Sequence, residues 1–280
     1  MVVTGAVLAS AVLHATWNAL AHRSADPTAA VVLIHLGLAV LSLPLLVVAP
    51  APAPAARPYL AVALVLHLGY VVLLSRCYAI GDFGQVYPLA RGSAPLVVAA
   101  LAVGFAGERL TWAGLAGVAV VCAGLAVLAG WSSPRSSGFV RNPRAVVAAV
   151  VTGLFIAGYT VVDGLGVRRA GTTVGYTLWL LGIHGLTVIG YAALVYRGSL
   201  LAAVRRGWWL ALVGGALGWT SYALVLWAQT RGALAAVAAL RETSVVVAAV
   251  IGTLVFGERF GRRRITATVL VAVGIVLLNL

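Results

Sequence analysis

The feature that most constrains this chain is a series of ten apolar runs, each about as long as a membrane-spanning helix. A helix needs about 20 mostly apolar residues to cross a bilayer core. Charged residues make up 9% of the sequence against about 25% in a soluble domain, too few to cover a water-exposed surface. The runs are too long and too uniformly apolar for the strands of a β-barrel. The sequence therefore predicts an all-α integral membrane protein with ten transmembrane helices, at residues 3–21, 29–49, 58–80, 84–106, 110–130, 144–166, 172–196, 206–229, 233–256 and 262–280.

The net charge of +13 comes from arginines that lie singly or in short groups between the apolar runs. This pattern is typical of anchors at the membrane surface and does not indicate a nucleic-acid partner. No basic residue precedes the first run, which is therefore predicted to be a retained helix and not a signal peptide. We expect a multi-pass protein of the bacterial inner membrane, with the lipid bilayer as its partner and homodimer formation left open.

The sequence also repeats itself with a period of 150 residues and no gap. This shift places Arg91 on Arg241, and the Gly-Glu-Arg triplet at 107–109 on the one at 257–259. Chance matches between apolar helices involve alanine and valine, not an intramembrane arginine and a charged triplet at one spacing. Each repeat holds five helices, and because five is odd, the second repeat is predicted to be inverted, as in many secondary transporters. The predicted domains are a first repeat at 1–130, a linker at 131–143 and a second repeat at 144–280.

Several motifs resemble the drug/metabolite transporter superfamily of EamA type. Both repeats have Gly-Glu-Arg before their last helix, at 107–109 and 257–259. The first helix carries His-Ala-Thr-Trp-Asn-Ala-Leu at 14–20, and the start of the second repeat carries Gly-Tyr-Thr-Val-Val-Asp-Gly at 158–164. The resemblance covers essentially the whole chain. It implies a ten-helix carrier, often an exporter of amino acids or other small metabolites.

The orientation of the chain in the membrane stays open at this point. With ten helices, five loop arginines lie on the side of the termini and twelve on the other side. The positive-inside rule then places both termini outside. The family resemblance instead suggests that both termini lie inside.

Two arginines within the predicted helices, Arg91 and Arg241, are the first candidate substrate-binding residues. A charged side chain at the centre of a spanning helix costs about 2.5–3.5 kcal/mol on insertion scales, so it usually has a function. The pair could hold an anionic or zwitterionic substrate in a cavity. Alternatively, each arginine could bind carbonyl groups or a nearby acid and only lock two helices together. Glu242 could bind a coupling proton, or it could be the counter-ion of either arginine.

The helix that carries Arg91 is also predicted to be bent, because Pro88 and Pro95 lie on either side of the arginine. Broken helices often line transport sites, since their freed carbonyl groups need a polar cavity. This makes the helix the best candidate for a substrate-facing element, with Tyr87 as a further substrate-binding residue.

The first helix of each repeat carries a polar stripe that should face the interior of the bundle. In the first helix, His14 and Asn18 are one turn apart with Trp17 beside them, and in the sixth, Tyr159 and Asp163 share a face. Trp17, Asn18 and Tyr159 are predicted to contact substrate, and His14 and Asp163 to bind a coupling proton. The alternatives are a packing role for His14, an interfacial position for Trp17, and an Asp163–Arg168 pair.

These features favour a secondary active transporter that exports a small zwitterionic or anionic metabolite, such as an amino acid, by alternating access. The alternatives are a non-transporting membrane subunit and, less favoured, a membrane-embedded enzyme. No paired acids, nucleophile motif or metal-ligand spacing is present, so we expect no enzyme activity, no metal site and no cofactor. The Gly-Glu-Arg triplets are expected to cap and anchor helix ends. Tyr70 and Tyr222 are weaker candidates, and His35 and His184 are expected to be packing groups.

Overall fold

The computed structural model describes residues 1–24, 26–80, 83–129, 143–196, 199–256 and 262–278. Over these ranges the chain is helical and has no β-strand, which confirms the all-α prediction. Most of the predicted linker 131–143 and the triplet at 257–259 lie outside the described residues. The α-helices are α1 (Val2–His22), α2 (Pro27–Ser42), α3 (Arg57–Ile80), α4 (Phe83–Ala106), α5 (Trp112–Ala129), α6 (Pro143–Arg169), α7 (Thr173–Tyr196), α8 (Ser199–Gln229), α9 (Leu234–Arg241), α10 (Thr243–Phe256) and α11 (Arg262–Leu278).

Six of the described helical segments are long and apolar enough to cross a membrane, judged by length and composition. They lie at Val2–Ala21, Ala29–Val47, Pro54–Leu74, Val146–Arg169, Thr173–Val195 and Val204–Gln229. Shorter apolar segments lie at Ala90–Ala106, Trp112–Val127 and Ile265–Leu278. Large apolar side chains are openly exposed on several helices, with Phe105 at 74% and Leu254 at 79%, as a lipid-facing surface requires. The count of ten spans and the inversion of the repeats stay predictions.

At two of the predicted breaks, the helix begins or ends at the residues that the sequence indicates. Asp26 caps α2, because its side chain accepts a hydrogen bond of 3.0 Å from the amide of Ala29 and Pro27 occupies the first turn. After α4, Gly107 adopts a φ of 65°, a left-handed conformation that glycine reaches without a steric penalty. The break predicted at 107–109 is therefore a true helix end.

Three of the predicted spans differ from the structure in detail. In the apolar run at 29–49, α2 ends at Ser42 and a 3₁₀ turn follows at Leu43–Val47, although Ala29–Val47 as a whole is long and apolar enough to cross a membrane. The connection expected up to Arg206 is helical from Ser199, with Gly207 as a non-helical residue inside α8. The helix expected at 233–256 is divided at Glu242 into α9 and α10.

The division at Glu242 has a local cause. The amide of Glu242 donates to the carbonyl of Ala239, and the amide of Val245 donates to the carbonyl of Glu242. These two i→i−3 bonds tighten the turn. The hydroxyl of Thr243 also donates to the carbonyl of Leu240 and so competes with the helical pattern. By contrast, α4 is one continuous helix through Pro88 and Pro95, so the interruption lies in the helix without proline.

The chain divides into two compact units, and each unit takes segments from both halves of the sequence. Unit 1 comprises Met1–Leu68 and Asp163–Arg231, and unit 2 comprises Gly69–Val162 and Gly232–Leu280. Helices α3 and α6 therefore pass from one unit to the other. These units are not the sequence repeats, whose predicted limits at 1–130 and 144–280 stay a prediction.

In unit 1, α2 packs against α7 and α8, and α1 packs against α8. The backbones of α2 and α8 meet at two glycines: a Cβ on Gly215 would lie 2.6 Å from Cα of Gly37. Beside this contact, Ser10 and Ser221 join α1 to α8 through hydroxyl groups 3.0 Å apart. Trp17 packs on an apolar cluster of Ala21, Ala30, Leu33, Ile34, Leu210 and Ala211.

In unit 2, α5 packs closely against α11 and α4 packs against α5 and α9. Glycine again allows the close approach, since a Cβ on Gly117 would lie 2.9 Å from the carbonyl oxygen of Gly274. A small apolar cluster of Ala99, Val118, Cys122, Ala235 and Ala239 fills the space between α4, α5 and α9. The short helix α9 is thereby fixed against two longer ones.

The start of α9 is capped by an acid from another part of unit 2. Both carboxylate oxygens of Glu108 accept from the amide of Leu234, at 2.8 and 2.9 Å. The N-cap residue itself, Ala233, makes no side-chain cap, so Glu108 supplies the acceptor that this helix end lacks. The capping role expected for the Gly-Glu-Arg triplets is confirmed for Glu108.

Replacing Glu108 by alanine should lower the free energy of unfolding by about 0.5–2 kcal/mol, the usual effect of losing a cap. Glu108→Gln keeps one oxygen acceptor and is the matched control, with a smaller expected loss. Thermal unfolding of the detergent-purified protein measures both. If the alanine variant unfolds at the temperature of the wild type, the carboxylate does not stabilise α9.

Candidate functional site

A buried ion pair joins α4 to the break between α9 and α10. Arg91 donates from Nε to Oε2 of Glu242 at 3.0 Å, and its Nη2 lies 3.4 Å from the hydroxyl of Ser244. The arginine is 2% exposed and the glutamate 3%, so solvent does not screen the pair. Of the partners that the sequence left open for Glu242, the structure shows Arg91.

Arg241 brings a second buried cation to the same turn, as the last residue of α9 and the neighbour of Glu242. Within the described part of unit 2, the buried charged side chains are therefore two arginines and one carboxylate. We call Arg91, Arg241, Glu242 and Ser244 the arginine–glutamate cluster. Its formal charge is positive, and a positive site away from water favours a ligand with a carboxylate or another anionic group.

A second polar cluster lies in unit 1 around Asp163, which is fully buried. Nε2 of His67 lies 2.9 Å from Oδ2 of Asp163, and the hydroxyl of Tyr222 donates to the same oxygen. The hydroxyl of Tyr176 donates to the other oxygen, Oδ1, at 3.3 Å. The Tyr222 hydroxyl also lies 3.2 Å from Nε2 of His67, so three polar groups meet at one point.

Two more imidazoles extend this cluster. The ring centroid of His184 lies 4.9 Å from the ring centroid of His67. The ring centroid of His35 lies 5.0 Å from that of His184. Nδ1 of His35 contacts the carbonyl oxygen of Val31 at 2.7 Å. We call His35, His67, Asp163, Tyr176, His184 and Tyr222 the histidine–aspartate cluster. No group of three or more ligands in the described residues has the arrangement of a metal site.

The alternative partner proposed for Asp163 makes a different contact. Arg168 lies within α6, not in a following loop, and its Nε donates to the carbonyl oxygen of Gln229 at 2.7 Å. The pairing of Asp163 with Arg168 is therefore replaced by the contacts with His67, Tyr176 and Tyr222.

The remaining predicted residues lie in three other places. On α1, His14 is buried with its ring 5.0 Å from that of Trp17, and Asn18 donates its side-chain amide to the carbonyl oxygen of His14. In unit 2, Tyr159 is buried against Tyr70 with ring centroids 5.6 Å apart. The side chain of Tyr87, on α4, lies outside the described residues. Binding roles for these residues stay predictions.

Sequence reasoning missed most of the histidine–aspartate cluster. His35 and His184 were expected to be packing groups, and Tyr222 only a weak candidate. Tyr222 contacts both His67 and Asp163, His184 lies beside His67, and His35 lies next to His184. Each lies in a different apolar run, so no local spacing joins them. The available signal was that four of the five histidines of the chain lie within predicted spans.

Comparison with known proteins agrees with these observations. Residues 143–280 match the model of the EamA-like transporter family. A crystal structure of another protein, 17% identical in sequence, has the same fold with a TM-score of 0.72, covering 99% of this chain and 94% of that one. At this identity the likeness concerns the fold alone. No curated protein matches the sequence.

The apolar helices indicate a multi-pass integral membrane protein, and the family match supports a transporter of the drug/metabolite type. Residues 143–280 are similar to the EamA-like transporter family, so the resemblance noted from the motifs is confirmed over this part of the chain. The members of this family are transporters, which fits the expectation that the chain is not an enzyme.

Proposed function

We propose that this protein is a secondary active transporter that exports a small zwitterionic or anionic metabolite, such as an amino acid, across the bacterial inner membrane. The observation that carries this proposal is the arginine–glutamate cluster, with two buried arginines and one buried carboxylate. Charged side chains inside a membrane protein cost free energy, so they are rare where they have no function. Intramembrane charges commonly mark substrate pathways.

The chemistry of the cluster fits an α-amino acid. The guanidinium groups of Arg91 and Arg241 present planar arrays of donors that suit a carboxylate, which an arginine can bind through two parallel bonds. Glu242 offers an acceptor of opposite charge for an ammonium group. A substrate carboxylate would compete with Glu242 for Arg91, so binding would open the ion pair that joins α4 to the α9–α10 break.

The mechanism we propose is alternating access in a ten-helix carrier, with two inverted repeats at residues 1–130 and 144–280 moving relative to one another. The break at Glu242 supports this proposal, because an interrupted helix in a transporter usually lines its binding site. Trp17, Asn18, Tyr87 and Tyr159 are proposed as further contacts for the substrate.

Uptake into proteoliposomes tests the function. A pool of labelled amino acids and small organic acids would be offered to vesicles with the wild type, Arg91→Gln or Arg241→Gln. Each replacement should lower saturable flux about tenfold or more, because a hydrogen bond to a charged group contributes about 1.5–3 kcal/mol. Arg76→Gln is the matched control, since it removes an exposed arginine of unit 2 and should leave flux unchanged.

The outcomes separate the proposal from its alternatives. Flux lost in both buried variants, with the proteins still folded, supports a cationic substrate site. If flux survives both changes, Arg91 has a structural role and the substrate binds elsewhere in the protein. The second candidate is a non-transporting membrane subunit, which the ion pair favours because Arg91 already has a partner within the protein. Such a subunit would show no saturable flux of any compound in the pool.

A further inference from the structure

We propose that His67, Asp163 and Tyr222 form a proton-binding site. The further step, that this proton is exchanged for the exported substrate, rests on the proposed function. Nothing in the family match assigns a role to these residues. The two buried acids of the described residues, Glu242 and Asp163, contact bases of different kinds.

Glu242 faces an arginine, which does not lose its proton in proteins. Asp163 faces His67, and imidazole is the side chain whose ordinary charge change lies between pH 5 and 8. A carboxylate paired with an arginine is therefore a fixed ion pair under physiological conditions. A carboxylate paired with a histidine can gain and release a proton, so the histidine–aspartate cluster is the better proton carrier.

The contacts around Asp163 provide a path for the transfer. Nε2 of His67 and Oδ2 of Asp163 are 2.9 Å apart, within hydrogen-bond distance, and the hydroxyl of Tyr222 contacts both atoms. A proton that leaves Nε2 can join Oδ2 directly, and no electrons are exchanged. With one proton shared between them, the pair is neutral whichever residue carries it, so the buried site avoids a lone charge.

The groups that surround the pair limit how many protons it can hold. Tyr176 and His184 face it from α7, Tyr222 from α8, and His35 on α2 lies next to His184. Three imidazoles with neighbouring centroids about 5 Å apart repel one another when charged, so a second proton is disfavoured. Nδ1 of His184 is buried and makes no hydrogen bond to another described residue, which leaves it available to a transferred proton.

Protonation would also change how helices are held together. Asp163 belongs to α6, whereas its donors belong to α3, α7 and α8, so one carboxylate joins four helices. When His67 releases its proton or Asp163 gains one, the number of donors and acceptors at this junction changes. A proton could thus bias the conformation of unit 1, which is what coupling to transport requires.

Infrared difference spectroscopy of the purified protein tests the site without any substrate. In a pH titration, a carboxyl band of Asp163 should appear or shift as the site takes up a proton. Asp163→Asn should abolish this signal and His67→Gln should displace its midpoint, whereas Glu242→Gln is the matched control and should leave it in place. A carboxyl signal that is missing from the wild type, or unchanged in Asp163→Asn, would overturn the proton site.

Flux measurements test the coupling separately. Wild-type vesicles that are acid inside by one pH unit, with the membrane potential clamped, should accumulate a transported amino acid about tenfold if one proton moves per substrate. Asp163→Asn and His67→Gln should abolish accumulation while exchange without a gradient continues. Thr177→Val is the control, since among the described residues the hydroxyl of Thr177 donates to the carbonyl oxygen of Thr173, within α7 and next to Tyr176 in sequence. No exchange by the wild type refutes the proposed function, whereas accumulation that persists in both variants refutes the coupling alone.

Discussion

Arg91→Leu is expected to lower the free energy of unfolding by about 3–5 kcal/mol, the usual effect of removing one member of a buried ion pair. The loss should be this large because Glu242 is 3% exposed and would be left without its cationic partner on α4. Thermal unfolding of the detergent-purified protein, followed by loss of the monodisperse species, measures it. The stability and flux assays report different properties of Arg91 and need not agree.

A double replacement decides whether the effect arises from the pair. Arg91→Leu/Glu242→Leu removes both charges, and apolar residues in place of a buried pair are often neutral or stabilising. We therefore expect the double variant to be more stable than either single one. If the losses of the two single variants simply add, the residues act independently and the 3.0 Å contact does not hold α4 to the α9–α10 break.

Gly37→Ala should cost about 1–3 kcal/mol or more, because the added methyl group overpacks the contact of α2 with α8. A Cβ at this position would overlap the carbonyl oxygen of Ala211, and it would lie 2.8 Å from Cα of Gly215. Both neighbours are backbone atoms, so no side chain can rotate away. The helices must move apart instead, and the melting temperature should fall.

Gly190→Ala is the matched control for this change. Gly190 is also inside a helix, α7, but nothing lies within 4 Å of its added Cβ. Alanine is favoured over glycine in a helix by about 0.8–1.0 kcal/mol, so this variant should be as stable as the wild type or slightly more. Equal destabilisation of both variants would mean that the α2–α8 contact is not the cause.

The class of fold and part of the site follow from the sequence because they depend on local patterns. Long apolar runs predict helices, and an arginine inside such a run stands out whatever surrounds it, as Arg91 does. Glu108 was recognised as a capping residue from its place at a helix end, although its target, 126 residues away, could not be known.

The histidine–aspartate cluster could not be predicted in this way. Its members come from five helices, and contacts such as His67 with Asp163, 96 residues apart, depend on tertiary packing that no sequence period encodes. The interruption of the helix at Glu242 was missed for a related reason. Proline was taken as the signal for a break, but Thr243 and two i→i−3 bonds divide the helix instead.

The make-up of the two units has a consequence for biosynthesis. Each unit includes segments from both halves of the chain, so neither can be completed while only the first half has left the ribosome. Arg91 meets Glu242 only after another 151 residues have been added, which takes about 8–30 s at 5–20 residues per second. During that interval a bare guanidinium group lies in a nascent helix, and we expect the insertion machinery or lipid headgroups to shield it. Translation pauses placed between codons 91 and 242 should therefore increase degradation of the newly made protein.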